Sequence, residues 1–100
     1  MLHLAHHQPA PLQESPASWY EDTGQTASGE HFYYGVANKS LRFGTRIRFF
    51  YRGRTVVGTV DDRGPYVGDR VWDLNQNTAR VLGFAGVGTV FWRLCGSTSC

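Results

Sequence analysis

Eight side chains in this chain carry a carboxyl group: Glu14, Glu21, Asp22, Glu30, Asp61, Asp62, Asp69 and Asp73. Three stand out by their setting. Glu30 follows Thr26-Ala27-Ser28-Gly29 and precedes an aromatic run. Asp62 ends an apolar stretch and is followed by Arg63-Gly64-Pro65. Asp73 is flanked by Trp72 and Leu74. Apolar surroundings disfavour the charged form of a carboxyl, so such a group can hold a proton and act as a general acid. A pair of carboxyls flanking a sugar bond is the recurring apparatus for cleaving glycosides. Structural roles compete with this reading. Asp62 can accept backbone hydrogen bonds in its turn, Asp73 can pair with Arg63 or Arg70, and Glu30 can be a solvated loop residue.

Aromatic side chains are the second feature. Trp19, Tyr20, Phe32, Tyr33, Tyr34, Tyr66 and Trp72 are concentrated near these acids. Most must belong to the core of a domain this small, but an exposed ring beside an acid suits a sugar groove, because a flat ring can cover the apolar face of a pyranose. Metal chemistry finds little support. His3, His6 and His7 lie in a Pro-rich start with no Cys partner, and no Cys/His spacing suits zinc. Cys95 and Cys100 leave three possibilities open: a small terminal disulfide, pairing with another chain, or no bond.

These residues need a scaffold, and the pattern is that of a β-rich domain. Strands are expected at Ala17–Tyr20, Phe32–Ala37, Arg46–Tyr51, Thr55–Val60, Val71–Leu74 and Val87–Leu94. The clearest is Arg46–Tyr51, which alternates Ile47, Phe49 and Tyr51 on one face with Arg46, Arg48 and Phe50 on the other. Arg52-Gly53 marks the hairpin turn that joins it to the next strand. Asn75 can cap a two-turn helix over Gln76–Leu82, with Gly83 at its C-terminal stop. The glycines from Gly83 to Gly88 follow this helix and open a strand, the reverse of a phosphate-binding loop. About six short strands and one short helix are most simply closed into a small barrel, which removes sheet edges.

Composition agrees. One hundred residues make one domain, 41% apolar and 18% charged, with a net charge of +2. No apolar run reaches the roughly 18–20 residues of a membrane span. No basic block exists to mark a nucleic-acid binder, and the Arg residues at 42, 46, 48, 52 and 54 fit a solvated face. A disordered tail is expected over 1–16, the barrel over 17–94 and a flexible tail over 95–100. The first sixteen residues lack the charged start and apolar run of an intact signal peptide.

Five segments in order, Ala17-Ser18-Trp19-Tyr20, Thr26-Ala27-Ser28-Gly29-Glu30, Ala37-Asn38-Lys39-Ser40-Leu41-Arg42-Phe43-Gly44-Thr45, Asp62-Arg63-Gly64-Pro65-Tyr66 and Trp72-Asp73-Leu74, resemble the RlpA-like (rare lipoprotein A) domain. The resemblance implies a six-stranded double-psi β-barrel related to expansins. It also implies a secreted or cell-envelope lytic transglycosylase acting on peptidoglycan strands stripped of stem peptides, as a monomer and without a cofactor or metal. Family acids fall on Glu30 and Asp62, and Asp73 resembles the acid of the MltA type of lytic transglycosylase. The expected order of importance is Asp62, Asp73, Glu30. Asn38, Trp19, Tyr20, Tyr66, Trp72 and Arg63 are the expected substrate-binding residues. Well-studied members carry His where this chain has Asn38, and Asn cannot exchange a proton near neutral pH. A non-catalytic, expansin-like polysaccharide-binding or wall-loosening module is therefore the alternative. An interaction module using the Arg-bearing hairpin is a weaker third.

Overall fold

The computed structural model describes residues 10–97, 99 and 100. Six strands and one helix follow in the order β1 (Gln13–Tyr20), β2 (Gly35–Ala37), β3 (Arg46–Tyr51), β4 (Arg54–Asp62), β5 (Trp72–Asn75), α1 (Gln76–Leu82) and β6 (Gly88–Leu94). The strands close into a barrel in the order β1-β5-β2-β4-β3-β6. The pairs β1/β5 and β2/β4 are parallel, and the other four are antiparallel. The six-stranded barrel with one short helix expected from the sequence is the observed architecture.

Local chemistry explains the elements. In the β3–β4 hairpin, Arg52 and Gly53 both have positive φ (49° and 80°), the pairing of a type I′ turn whose twist matches its strands. The Asn75 side chain accepts the Thr78 N–H and starts α1, and Gly83 at φ 73° ends it. Ile47, Phe49, Val36, Val60, Trp72, Leu74, Leu82 and Val90 are fully enclosed and fill the interior. Trp72 sits at its centre, edge-on to Phe49 at 5.0 Å and to Trp92 at 5.1 Å.

Both ends depart from expectation. Gln13 to Pro16, assigned to the tail, extend β1 and pair with β6. Pro16 has no N–H to give the ladder, but its carbonyl accepts the Val71 N–H at 2.9 Å. The rest of the predicted tail, with His3, His6 and His7, lies outside the described residues. At the other end Cys95 and Cys100 are joined as a disulfide, the Cys95 N–H bonds to the Arg46 carbonyl, and the Gly96 N–H bonds to the Ser99 carbonyl. The predicted flexible tail is a closed loop fastened to β3.

Candidate active site

The strand register puts two of the three expected acids in one row. Ala37 of β2 pairs with Asp62 of β4 on one side and Asp73 of β5 on the other, and Asp73 pairs with Ser18 of β1. Residues opposite one another on neighbouring strands point to the same side. Ser18, Asp73, Ala37 and Asp62 therefore form a line across four strands, with the two acids two strand spacings apart, roughly 10 Å between their Cα atoms. Ser18 and Ala37 are buried, whereas Asp62 and Asp73 are half-buried. The row is a floor with a carboxyl rising at each side.

The two acids are held differently. Asp73 Oδ1 accepts the Ser18 hydroxyl at 3.0 Å. Burial pushes the Asp73 carboxyl above its usual range; the Ser18 bond and the field of Arg70 oppose this, and Asp62 adds to it. A structural ion pair with Arg63 or Arg70 is not formed. The only carboxylate ion pair among the described residues joins His31 to Asp22. Asp62 Oδ1 accepts the backbone N–H of Ala27 at 2.8 Å and of Arg63 at 2.9 Å, while its other oxygen makes no hydrogen bond within the described residues.

Glu30 rides on the loop that Asp62 holds. Its backbone is fixed by its neighbours: the Glu30 N–H donates to Ser28 Oγ at 3.1 Å, and the hydroxyls of Thr26 and Ser28 donate to the Glu30 carbonyl. The Glu30 side chain is exposed and makes no hydrogen bond or ion pair among the described residues. Tyr20 lies on the same side of β1 as Ser18. Its hydroxyl is buried with no hydrogen-bond partner. Burial, then the fields of Asp61, Asp62, Asp22 and Asp73, drive its ionisation far above the ordinary phenol value.

Several expected substrate-binding residues have other roles. Trp72 has no exposed surface and is a core side chain, because its position on β5 faces the barrel interior between two other rings. Asn38 is also buried, and both ends of its amide are engaged by the backbone. Nδ2 donates to the Val71 carbonyl, and Oδ1 accepts the N–H groups of Ser40 and Leu41. The Arg63 guanidinium donates to the carbonyls of Asn38 and Leu41 and stacks on Phe43 at 3.9 Å. Asn38 and Arg63 thus fasten the 38–43 loop beside Asp62. Trp19 is exposed but points to the other side of β1, into a cavity of about 160 Å³ with Ala79, Arg80 and Phe84. Tyr66, 73% exposed, remains available just beyond Asp62.

Sequence reasoning passed over a second cluster beside this floor. Asp22, His31, Phe32, Tyr33, Asn75, Gln76 and Asn77 line a cavity of about 460 Å³. His31 Nδ1 meets Asp22 Oδ2 at 2.9 Å, and this bond raises the imidazole pKa. Phe32 and Tyr33 present exposed rings there. The Asn75 amide donates to both of their carbonyls, fixing them to the start of α1. The aromatic run was visible in the sequence, but its attachment to the helix cap was not, because the partners are more than forty residues apart. None of Asp62, Asp73 and Glu30 lines this cavity.

A sequence profile of the family described as lytic transglycolase matches residues 13–92. The chain belongs to this RlpA-like family of double-psi barrels. Over 84 residues it is 40% identical to the probable endolytic peptidoglycan transglycosylase RlpA of Synechocystis sp., covering 74% of this chain and 26% of that protein. Over 81 residues it is 42% identical to the endolytic peptidoglycan transglycosylase RlpA of Pseudomonas aeruginosa, covering 73% and 24% respectively. The chain thus spans about a quarter of the length of these curated relatives. Among solved structures, the Streptomyces papain inhibitor shares the fold, with a TM-score of 0.69 at 21% identity, covering 88% of this chain and 98% of that one.

Proposed function

We propose that this barrel is a peptidoglycan lytic transglycosylase that cleaves the bond between N-acetylmuramic acid and N-acetylglucosamine and leaves a 1,6-anhydromuramyl end. The observation that carries the reading is the row in which Asp73 and Asp62 flank Ala37. Asp73, whose carboxyl burial keeps protonated to higher pH, gives its proton to the glycosidic oxygen. The bond from that oxygen to the muramyl C1 then breaks through an oxocarbenium-like state. Asp62, with one oxygen fixed by two N–H groups and the other unengaged, takes the proton of the muramyl C6 hydroxyl as that oxygen bonds to C1. Glu30 adds negative charge on the loop above. Proton exchange with water restores both acids. The sequence ranked these acids without dividing their roles; here Asp62 is the base and charge stabiliser, and Asp73 is the acid.

The site works in the bacterial envelope or outside the cell, on glycan strands freed of stem peptides, with the exposed Tyr66 ring available to cover a sugar face. The relatives' names support the substrate. The test incubates the protein with amidase-treated peptidoglycan and looks for anhydromuramyl sugars by mass spectrometry. Their appearance, and their loss in Asp62→Asn, is the expected result. Glycan bound tightly with no product at high protein concentration would instead establish the non-catalytic polysaccharide-binding module. The buried, non-titrating Asn38 amide is the observation that favours that second reading.

A further inference from the structure

Asp61 has no part in the chemistry above, yet it is the most enclosed acid of the barrel, with no exposed surface. Its place in the sheet is unusual. Val36 pairs with Val60 and Ala37 with Asp62, so Asp61 is the extra residue of a bulge and has no partner on β2. Bulges re-aim side chains, often beside active sites. Here the carboxyl is turned toward the loop that carries Glu30. Asp61 Oδ2 accepts the Phe32 N–H at 2.9 Å, and the Asp61 carbonyl accepts the Ser28 N–H at 3.3 Å. The next residue, Asp62, accepts the Ala27 N–H at 2.8 Å. Three N–H groups of one short loop therefore end on two successive residues of β4.

The socket for this carboxyl is built into the sequence at Gly35. A Cβ there would lie 2.3 Å from Asp61 Oδ2 and 2.8 Å from its Cγ, so any other residue would displace the acid. Asp61 Oδ1 is buried with no hydrogen-bond partner among the described residues, as is the Tyr20 hydroxyl. An unpartnered oxygen in such a place is costly on a charged group and far less so on a neutral one.

We propose that Asp61 is a positioning residue of the site: a buried hydrogen-bond strut, seated against Gly35, that locks residues 27–32 so that the loop carrying Glu30 stays against Asp62. The role needs an acceptor oxygen, not a negative charge. Burial pushes the Asp61 carboxyl above its ordinary range. The Phe32 N–H opposes this, Asp22 and Asp62 reinforce it, and His31 opposes it. The Tyr20 phenol, whose own ionisation Asp61 helps to suppress, completes the titratable groups around it. This assignment rests on the reading that Asp62 and Glu30 face the substrate.

The test compares Asp61→Asn with Asp61→Ala in the full chain. Amide exchange at Phe32 and Ser28 is followed by NMR without substrate, and kcat and KM for anhydromuramyl release are measured on stem-free peptidoglycan. Asn keeps an acceptor for the Phe32 N–H, so Asp61→Asn is expected to keep wild-type protection at Phe32 and a kcat within about threefold. Asp61→Ala is expected to lose protection at Phe32 and at least about tenfold in kcat, with KM nearly unchanged, while circular dichroism shows it folded. Asp61→Ser, too short to reach Phe32, takes its place if the Ala variant does not fold. Wild-type protection and kcat in the Ala or Ser variant would overturn the proposal. So would a folded Asp61→Asn as inactive as Asp61→Ala, since the carboxyl itself would then be a reactant. If the wild-type chain releases no anhydro sugar, the catalytic reading fails separately, and Phe32 exchange alone decides whether Asp61 holds the loop.

Discussion

The barrel contains two parallel strand pairs, and only one of them is regular. β1 and β5 run in unbroken register from Ala17 opposite Trp72 to Tyr20 opposite Asn75. β2 and β4 slip by one residue between Val36 and Ala37. The regular pair carries a single proposed site acid, Asp73, which alternation places on the side away from the core and a neighbouring hydroxyl holds. The bulged pair places two adjacent aspartates in different settings, one half-buried and one fully enclosed. Without the slip, alternation from the buried Val60 would carry Asp61 to the outer side and turn Asp62 inward. With it, Asp62 lines up with Ala37 and Asp73, and Asp61 becomes a buried anchor for the loop. One extra residue thus sets Asp62 in the row with Asp73 and turns Asp61 into the interior, the arrangement on which the proposed site and its support both rest.

The sharpest way to break this contrast is to disable the acid on each side. Asp62→Asn should lower anhydromuramyl release by about a hundredfold or more without changing the circular dichroism spectrum, since removing a proton-transfer group typically costs 10²–10⁴-fold. Asp73→Asn should cost a similar but smaller factor, and should also abolish the alkaline fall in rate that a required protonated acid imposes. That fall follows from the direction of the Asp73 shift: the acid is active while protonated and is lost as pH rises through its raised folded value. A wild-type pH–rate profile with no alkaline limb in the range where Asp73 titrates would remove it from the acid role.

The next effect is on stability and is confined to the bulged pair. Gly35→Ala forces a methyl group into the Asp61 carboxyl. It should destabilise the domain by about 1–3 kcal/mol, the usual cost of overpacking, read as a lower Tm. The corresponding change on the regular pair, Ser18→Ala, removes one bond that lowers the Asp73 pKa. It should move the alkaline limb of the rate profile to higher pH while leaving the rate at low pH nearly unchanged, an outcome that pH–rate measurements on both proteins can check.

A final, smaller test concerns both acids at once. Asp61 and Asp73 have folded-state pKa values raised above those of the unfolded chain. Their contribution is fully present below the unfolded carboxyl value, near 4, and is lost as pH rises through the folded values. Wild-type Tm should therefore decline over that window. The decline should shrink in Asp61→Asn and again in the double variant with Asp73→Asn. A Tm that rises through the same window in the wild type and is unaffected by either substitution would contradict both assignments.

Much of this protein was legible from local chemistry. Alternation in Arg46–Tyr51, the Arg52-Gly53 turn, the Asn75 cap and the Gly83 stop each act over a few residues, so they identify a hairpin and a helix without knowledge of the fold. Closure into a six-stranded barrel follows from the same short strands, and motif resemblance pointed to Glu30, Asp62 and Asp73. Register was not legible, because strand pairing joins residues far apart in the chain, and a slip of one residue reverses which side a side chain faces. The slip at Asp61 decided which of two adjacent aspartates joins the row. Packing decided that Trp72 belongs to the core. Hydrogen bonding decided that the amide of Asn38 and one nitrogen of the Arg63 guanidinium bind backbone groups. Residue type establishes what a side chain is able to do; the tertiary structure establishes whether its polar atoms are free to do it, since a buried donor or acceptor must be satisfied locally before it can serve a ligand.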